Sequence, residues 1–396
     1  MPRFEPFAGI RYAASVALDA VTAPPYDVLS EDDVRTLAAQ HPHNIVSIDV
    51  PLEAEGPGRY EAAAETMRRW LSEGVLASED GAVFYRYRIS FDDELGRRHT
   101  TTGIIGGLEV LPHGTAGDVL PHEQTTPKAK TDRLDLTRAT GTNLSAVWGL
   151  SLAARFTDLP ALPAEVVGDF TDESGVHHEL AVVRDAGAIS VISSIVGSAP
   201  VVIADGHHRY DISRTYRAER HAVLDEPGAY DLTMAFVVAL SEDELFVQAI
   251  HRLLVSVPEG LDLAGALEPF FELSPAGVVT ASITAEMLER GALCLVDADG
   301  NGTFLTPRPA SFEGLRDLDS LRLERAVAPI QHTKAYQHGV DHVLAALREH
   351  RAQWAVLLRP VGIAEIRRTA DERVLMPPKS TFFAPKPRTG LVIRPV

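Results

Sequence analysis

Val201-Val202-Ile203-Ala204 is a short apolar run that passes through Asp205 and Gly206 straight into a stretch of helical character, Tyr210 to Arg220. The run reads as a buried strand. Ile212 and Tyr216, four residues apart, give the stretch that follows one apolar helix face. Strand, glycine turn and helix thus follow one another directly here. The chain has 396 residues, long for one compact core, so two domains or one domain with a large insertion are expected. A composition of 45% hydrophobic and 23% charged residues is that of an ordinary globular protein.

Charge and cysteine content narrow the function classes. With 55 acidic against 37 basic residues the formal net charge is −18, which argues against a nucleic-acid or anionic-membrane partner, since both need a basic field. A local basic pocket for a small anion is compatible with that balance. No apolar stretch reaches the roughly 18 to 20 residues of a bilayer span. Met1-Pro-Arg-Phe-Glu-Pro-Phe7 lacks the basic start and apolar segment of a signal peptide. One cysteine, Cys294, allows no internal disulfide and no cysteine metal cluster. Flanked by leucines, it reads as core filler. A cytoplasmic location is expected.

Ala23-Pro24-Pro25-Tyr26-Asp27-Val28 reads as rigid and extended, because each proline fixes its own φ and biases its predecessor away from helix. Ser30 with Asp33 predicts a helix start. A second helix is expected over about Tyr60 to Ser72, with Tyr60, Ala63, Met67 and Trp70 on one face. Val83 to Phe91 alternates as a half-buried strand, with Thr100 to Val110 as its return. A second hairpin is expected between Leu180–Arg184 and Ala188–Ile192, His177-His178 on a solvated strand, and further strands at Met234–Leu240, Leu245–Ile250, Trp354–Leu358 and Gly390–Arg394. The expected division is into residues 1–254 and 255–396, although composition barely changes at that boundary.

Three segments carry candidate chemistry. In Asp205-Gly206-His207-His208-Arg209, the glycine lets the backbone approach a ligand, and the helix start offers free amides at a positive dipole end. Two imidazoles and a guanidinium add donors suited to phosphate oxygens. Asp205 is expected to orient an imidazole or hold hydrated Mg²⁺. The plainer alternative is a surface turn facing water. The second segment runs from Leu120 to Arg133. Its Glu123 suits a general base if burial raises its pKa, and Lys128, Lys130 and Arg133 suit phosphate neutralisation. The alternative is a solvated loop with a helix starting near Thr131 or Asp132. The third, Met376-Pro-Pro-Lys-Ser-Thr381 to Lys386, is a proline-stiffened loop whose two lysines, Lys379 and Lys386, can reach a site as a clamp. It lacks the glycines of a P-loop, and its alternative is a plain connection to the last strand.

Taken together, Ala23-Pro-Pro-Tyr-Asp-Val28, His122-Glu123 with Thr125, Asp132-Arg133, Asn143-Leu-Ser145, Ala204-Asp-Gly-His-His-Arg-Tyr210 and Met376-Pro-Pro-Lys-Ser-Thr381 with Pro385-Lys386 resemble the DUF1015 family over nearly the whole chain. The Asp-Gly-His-His-Arg element also resembles the phosphate-contacting box of the ParB/sulfiredoxin superfamily, and within it the free serine kinases. The resemblance implies an α/β (α+β) fold, with a mixed-sheet ParB/sulfiredoxin-like nucleotide-binding core carrying a large insertion and a C-terminal α+β region. It further implies Mg²⁺ and a nucleotide, ADP or ATP, gripped at Gly206, His207, His208 and Arg209. Sulfinic acid repair is not implied, because histidine stands where sulfiredoxins keep their cysteine.

The expected function is an Mg²⁺-dependent phosphotransferase acting on a small hydroxylated metabolite such as serine, with Glu123, His207 and His208 as catalytic residues. A phosphatase using the same site and a nucleotide-binding regulator without turnover stand as alternatives. The sequence is silent on oligomeric state.

Overall fold

The computed structural model describes residues 1–52, 58–93, 96–123, 130–224 and 226–396, leaving aside the side chains of 130 and 131. Among these residues a nine-stranded mixed sheet is built from β1 (Phe4–Glu5), β2 (Phe84–Asp92), β3 (Arg98–Glu109), β4 (Val119–Pro121), β5 (Val147–Ser151), β6 (Glu165–Thr171), β7 (His177–Val183), β8 (Val201–Asp205) and β9 (Leu232–Ala239). The strand order is β4-β8-β5-β9-β3-β2-β7-β6, with β1 paired to the far end of β3. The β4/β8 and β5/β9 pairs are parallel and the others antiparallel.

Strand β8 is buried on both faces. Val202 and Ala204 join a core with Trp148, Phe236 and Tyr87, while Val201 and Ile203 join another with Ile192, Phe84 and Val237. That two-sided burial explains why β8 and β9 read as unbroken apolar runs.

The expected helices form as α1 (Glu31–Gln40), α2 (Gly58–Ser72) and α3 (Lys130–Thr140), and a fourth, α4 (Ala186–Val196), falls where a strand was expected. Ser30 and Asp33 make a reciprocal capping box on α1. The α2 face carrying Tyr60, Ala63, Met67 and Trp70 is buried. The predicted hairpin at 180–192 is corrected: β7 pairs with the preceding strand β6. Asp185 caps α4 by accepting from the Ala188 amide at 2.8 Å, and Ala188, Ile192, Ile195 and Val196 are buried. The apolar run 188–192, broken only by Ser190, is short enough to pass for a buried strand, but its i, i+1, i+3, i+4 spacing and the Asp185 cap decide for helix.

His178 is also corrected. It lies on a strand, but shares the inward face of Leu180 and Val182 and is buried, with its ring bonded to the Tyr87 hydroxyl at 2.8 Å and to Asp172 at 3.0 Å. The expected strand Leu245–Ile250 is reduced to Val247–Gln248, followed by a separate strand from Ile250.

A second, antiparallel sheet comprises β10 (Ile250–Val255), β11 (Phe271–Val278), β12 (Leu293–Val296), β13 (Asn301–Pro307), β14 (Thr333–His338) and β15 (Trp354–Leu357), in the order β11-β13-β12-β15-β10-β14. Cys294 is buried in its core. The expected boundary at 254/255 falls within β10. The chain does not end on this sheet. It returns to segments flanking the first sheet, where Met376 bridges Glu123, Thr389 bridges Ala23, Ile393 bridges Ile10, and Arg394–Pro395 pairs with Thr142–Asn143.

The cap on α4 gives a direct check. Asp185→Ala is expected to destabilise the fold by about 1 kcal/mol and Asp185→Asn by much less, measured by urea denaturation. Equal midpoints for Asp185→Ala and the wild type would refute the cap.

Candidate functional site

Strand β8 ends at Asp205, and α5 (His207–Leu224) begins two residues later. Gly206 between them has φ +84°, a conformation glycine adopts without strain. A Cβ there would also lie 2.9 Å from the Arg209 Nε. The first amides of α5 have no acceptor within the helix, and they belong to residues that line a cavity of about 510 Å³. Its walls bring together Glu123, Asp205, Gly206, His207, His208, Arg209 and Lys379. Three segments separated by up to 256 residues in the chain therefore share one cleft.

The polar connections of these residues are specific. Asp205 accepts from Arg209 at 2.5 Å on one oxygen and from Lys386 at 3.2 Å on the other. Lys386 also donates to Asp27 at 2.6 Å. Burial alone would raise the Asp205 carboxyl, but Lys386 and Arg209 outweigh it and hold it below the ordinary carboxylate range. The Arg209 guanidinium also donates to the Ala146 carbonyl, so much of its donor capacity is already used.

Asp205 therefore does not fit a resident magnesium ion. Both its oxygens are taken by protein cations, and among the described residues no three carboxylates, imidazoles or thiols group as metal ligands.

Glu123 sits beside His122 at the end of β4. Burial pushes its carboxyl up to about 7, against the pull of the Ser380 amide, which donates at 3.3 Å, and of the Lys379 charge. His122 is buried, with Nδ1 2.5 Å from the Ile203 carbonyl and Nε2 2.7 Å from the Thr381 hydroxyl. A carbonyl only accepts, so Nδ1 carries the proton and Nε2 accepts from Thr381. Burial holds the His122 pKa down to about 4, which keeps this tautomer neutral. The ring of His207 lies 5.0 Å from that of His122. Burial, and then the neighbouring His122 and His208, hold His207 well below the ordinary imidazole value. The Nε2 of His207 and Nδ1 of His208 are buried without a partner among the described residues. Buried unpaired nitrogens on a cavity wall are what a ligand's polar atoms can satisfy.

Lys379 is exposed at φ +60° and makes no ion pair with the described residues. Its carbonyl accepts from Arg252 at 3.1 Å. Arg133 lies apart from this cavity: it pairs with Asp49 at 2.9 Å, stacks 4.0 Å over Tyr26, and borders a small recess of about 40 Å³ with Arg209. Lys128 lies outside the described residues, as does the side chain of Lys130. Sequence reasoning missed Asp27 as a site residue, and anticipated Lys386 only as one of two lysines on the proline-stiffened loop. Both stand in proline-flanked motifs, and that stiffness is the signal that marks them.

Residues 4–338 match the model of a family described as a protein of unknown function, DUF1015. No curated protein matches the sequence. Among solved structures, the chain is similar to a conserved hypothetical protein from Pyrococcus furiosus at 11% identity, covering 72% of this chain and 97% of that one, with a TM-score of 0.35. It is similar to a free serine kinase in complex with AMP at 12% identity, covering 67% and 84%, with a TM-score of 0.35. It is also similar to SbnI with a C-terminal truncation from Staphylococcus aureus at 8% identity, covering 72% and 85%, with a TM-score of 0.39.

The Glu123 environment predicts a pH-dependent stability. Its carboxyl is raised from 4.5 to about 7 on folding, so the folded state binds the extra proton and that contribution is lost as pH rises through this window. Relative to Glu123→Gln, the wild type is expected to lose at most about 3 kcal/mol of unfolding free energy between these pH values. Paired denaturant titrations from pH 4 to 8 measure it. A constant gap between the two proteins would rule out the raised carboxyl.

Proposed function

The chain belongs to the DUF1015 family of unknown function, and from that premise we propose that it is a phosphotransferase that grips a nucleotide, ADP or ATP, by its phosphates and passes a phosphoryl group to a small hydroxylated metabolite, serine among the candidates. The observation that carries this reading is the convergence of the Gly206 turn, Glu123 and Lys379 on one cavity.

Phosphoryl transfer asks mainly for positioning and for donors around the transferring group. The α5 amides would supply neutral donors, with the His207 and His208 side chains beside them on the cavity wall, and Lys379 the free cation. Arg209 and Lys386, already paired with carboxylates, would serve chiefly to fix the turn and to balance charge. Glu123 would accept the proton of the acceptor hydroxyl as the new oxygen–phosphorus bond forms and the bond to the departing nucleotide breaks. A carboxyl near 7 suits that task at neutral pH. Magnesium would have to enter with the nucleotide phosphates, since Asp205 is already taken.

The test is a thermal-shift and calorimetric screen of ADP and ATP, with and without Mg²⁺, followed by transfer assays with small alcohols. A nucleotide at 100 times its dissociation constant is expected to stabilise the fold by about 2.7 kcal/mol. Glu123→Gln is expected to lower turnover by about 10² to 10⁴ with binding unchanged, and wild-type kcat/KM to rise with pH through about 7. Absence of any nucleotide effect sinks the reading, whereas binding without transfer to any acceptor leaves a regulator in its place.

Gly206→Ala supplies an independent check, because its Cβ would strain the turn and press on Arg209. Nucleotide affinity is expected to fall at least about tenfold, as read by calorimetry. Unchanged affinity would remove the turn from the site.

A further inference from the structure

The cavity that holds the Gly206 turn is also lined by aromatic rings, and the second sheet carries Tyr336 and His338 among them. Tyr336, on the edge strand β14, lines the cavity yet is 44% exposed. It stands directly opposite Arg252 on β10, and the Arg252 guanidinium carbon lies 4.8 Å from the tyrosine ring centroid. Arg252 is only 1% exposed and has no carboxylate partner among the described residues. It donates to the carbonyls of Ile250, at 2.6 Å, and Lys379, at 3.1 Å.

A buried guanidinium without an anion is costly, and the ring of Tyr336 compensates it in part through its π face. The same contact holds the ring in place. Two residues along the same face, His338 stacks on Phe382 at 4.4 Å and 7°, and Lys386 lies 5.7 Å from the Phe382 ring. The wall thus runs from an open aromatic ring to the charged residues around Asp205.

A ligand matching both ends carries a flat ring and a phosphate tail. We propose that Tyr336, backed by Arg252, stacks the nucleobase of the nucleotide whose phosphates the Gly206 turn holds. This rests on the phosphate-gripping reading above and adds the base-binding subsite. A cavity of about 510 Å³ falls within the range that small-molecule and cofactor sites occupy, roughly 300 to 1,000 Å³. A small hydroxylated acceptor has no flat ring to place there. Arg252 acts as a positioning residue, holding the ring and, through the Lys379 carbonyl, the lysine-bearing loop.

Titration calorimetry with ADP and with inorganic pyrophosphate tests this on the wild type, Tyr336→Phe, Tyr336→Leu and Tyr336→Ala. Wild type and Tyr336→Phe are expected to bind ADP alike and more tightly than pyrophosphate. The leucine and alanine variants are expected to lose about tenfold or more in ADP affinity, with pyrophosphate binding within about twofold of wild type. Leucine keeps the bulk of the side chain, so a loss shared by both variants is not one of packing. Unchanged ADP affinity, or equal losses for ADP and pyrophosphate, overturns the base-stacking role while the phosphate reading stands. A wild type that binds neither overturns both.

Discussion

Asp205 is held between two cations, and the site depends on that arrangement. Arg209 reaches it from the next turn of the chain, Lys386 from the C-terminal loop, and Lys386 is in turn shared with Asp27 near the N-terminus. Four charges of alternating sign thus tie together segments up to 359 residues apart. In this largely buried setting the pairs contribute little net stability, because desolvation offsets most of their attraction. Losing one member is different, since it strands an uncompensated charge. What the row supplies is position: it fixes the turn, the proline-stiffened loop and the C-terminal loop in one register around the cavity.

That arrangement changes how the cations are to be read. Counted from composition, the site holds a guanidinium and several ammonium groups against a phosphate. In the fold, Arg209 and Lys386 are largely neutralised by Asp205 and Asp27, and Lys379 is left as the described cation free to meet an anion. On the proposed reading, much of the remaining attraction for phosphate would fall to helix amides and to the neutral His207 ring, which stabilise charge without bringing a full charge of their own. The neutrality of His122 and His207 follows from burial. Burial likewise raises the Glu123 carboxyl to about 7, so its charge changes near neutral pH.

What was legible in the sequence was local. The β8 strand, its glycine and the helix after it could be read because strand period, turn and helix face lie within about twenty consecutive residues. Ser30 with Asp33, and the buried face of α2, were legible for the same reason. Two errors were also local, where one pattern fits two structures. The short apolar run 188–192 passes for a strand until its helical spacing and the Asp185 cap are weighed, and His178 reads as solvated until its parity with Leu180 and Val182 is followed across the strand. The partnership of Asp27, Asp205 and Lys386 was not legible, because no periodicity encodes a contact between residues so far apart. The lone sequence trace of it is the nearby proline, Pro25 two residues before Asp27 and Pro385 next to Lys386.

The same limit explains the second sheet. Nothing within β10 or β14 announces a site, since Arg252 and Tyr336 become a pair only when the strands align antiparallel. Once they do, Arg252 lies under an exposed ring on one side and on the Lys379 carbonyl on the other, so the sheet holds both the aromatic wall and the loop with the free cation. The return of the chain to the first sheet then brings Ser380 onto Glu123 and Thr381 onto His122. A cavity assembled from segments near residues 27, 123, 205, 336 and 380 exists only when both sheets and the returning segment are in place. Binding there is therefore coupled to the docking of the whole chain, and a ligand spanning the cleft would stabilise that docking by mass action.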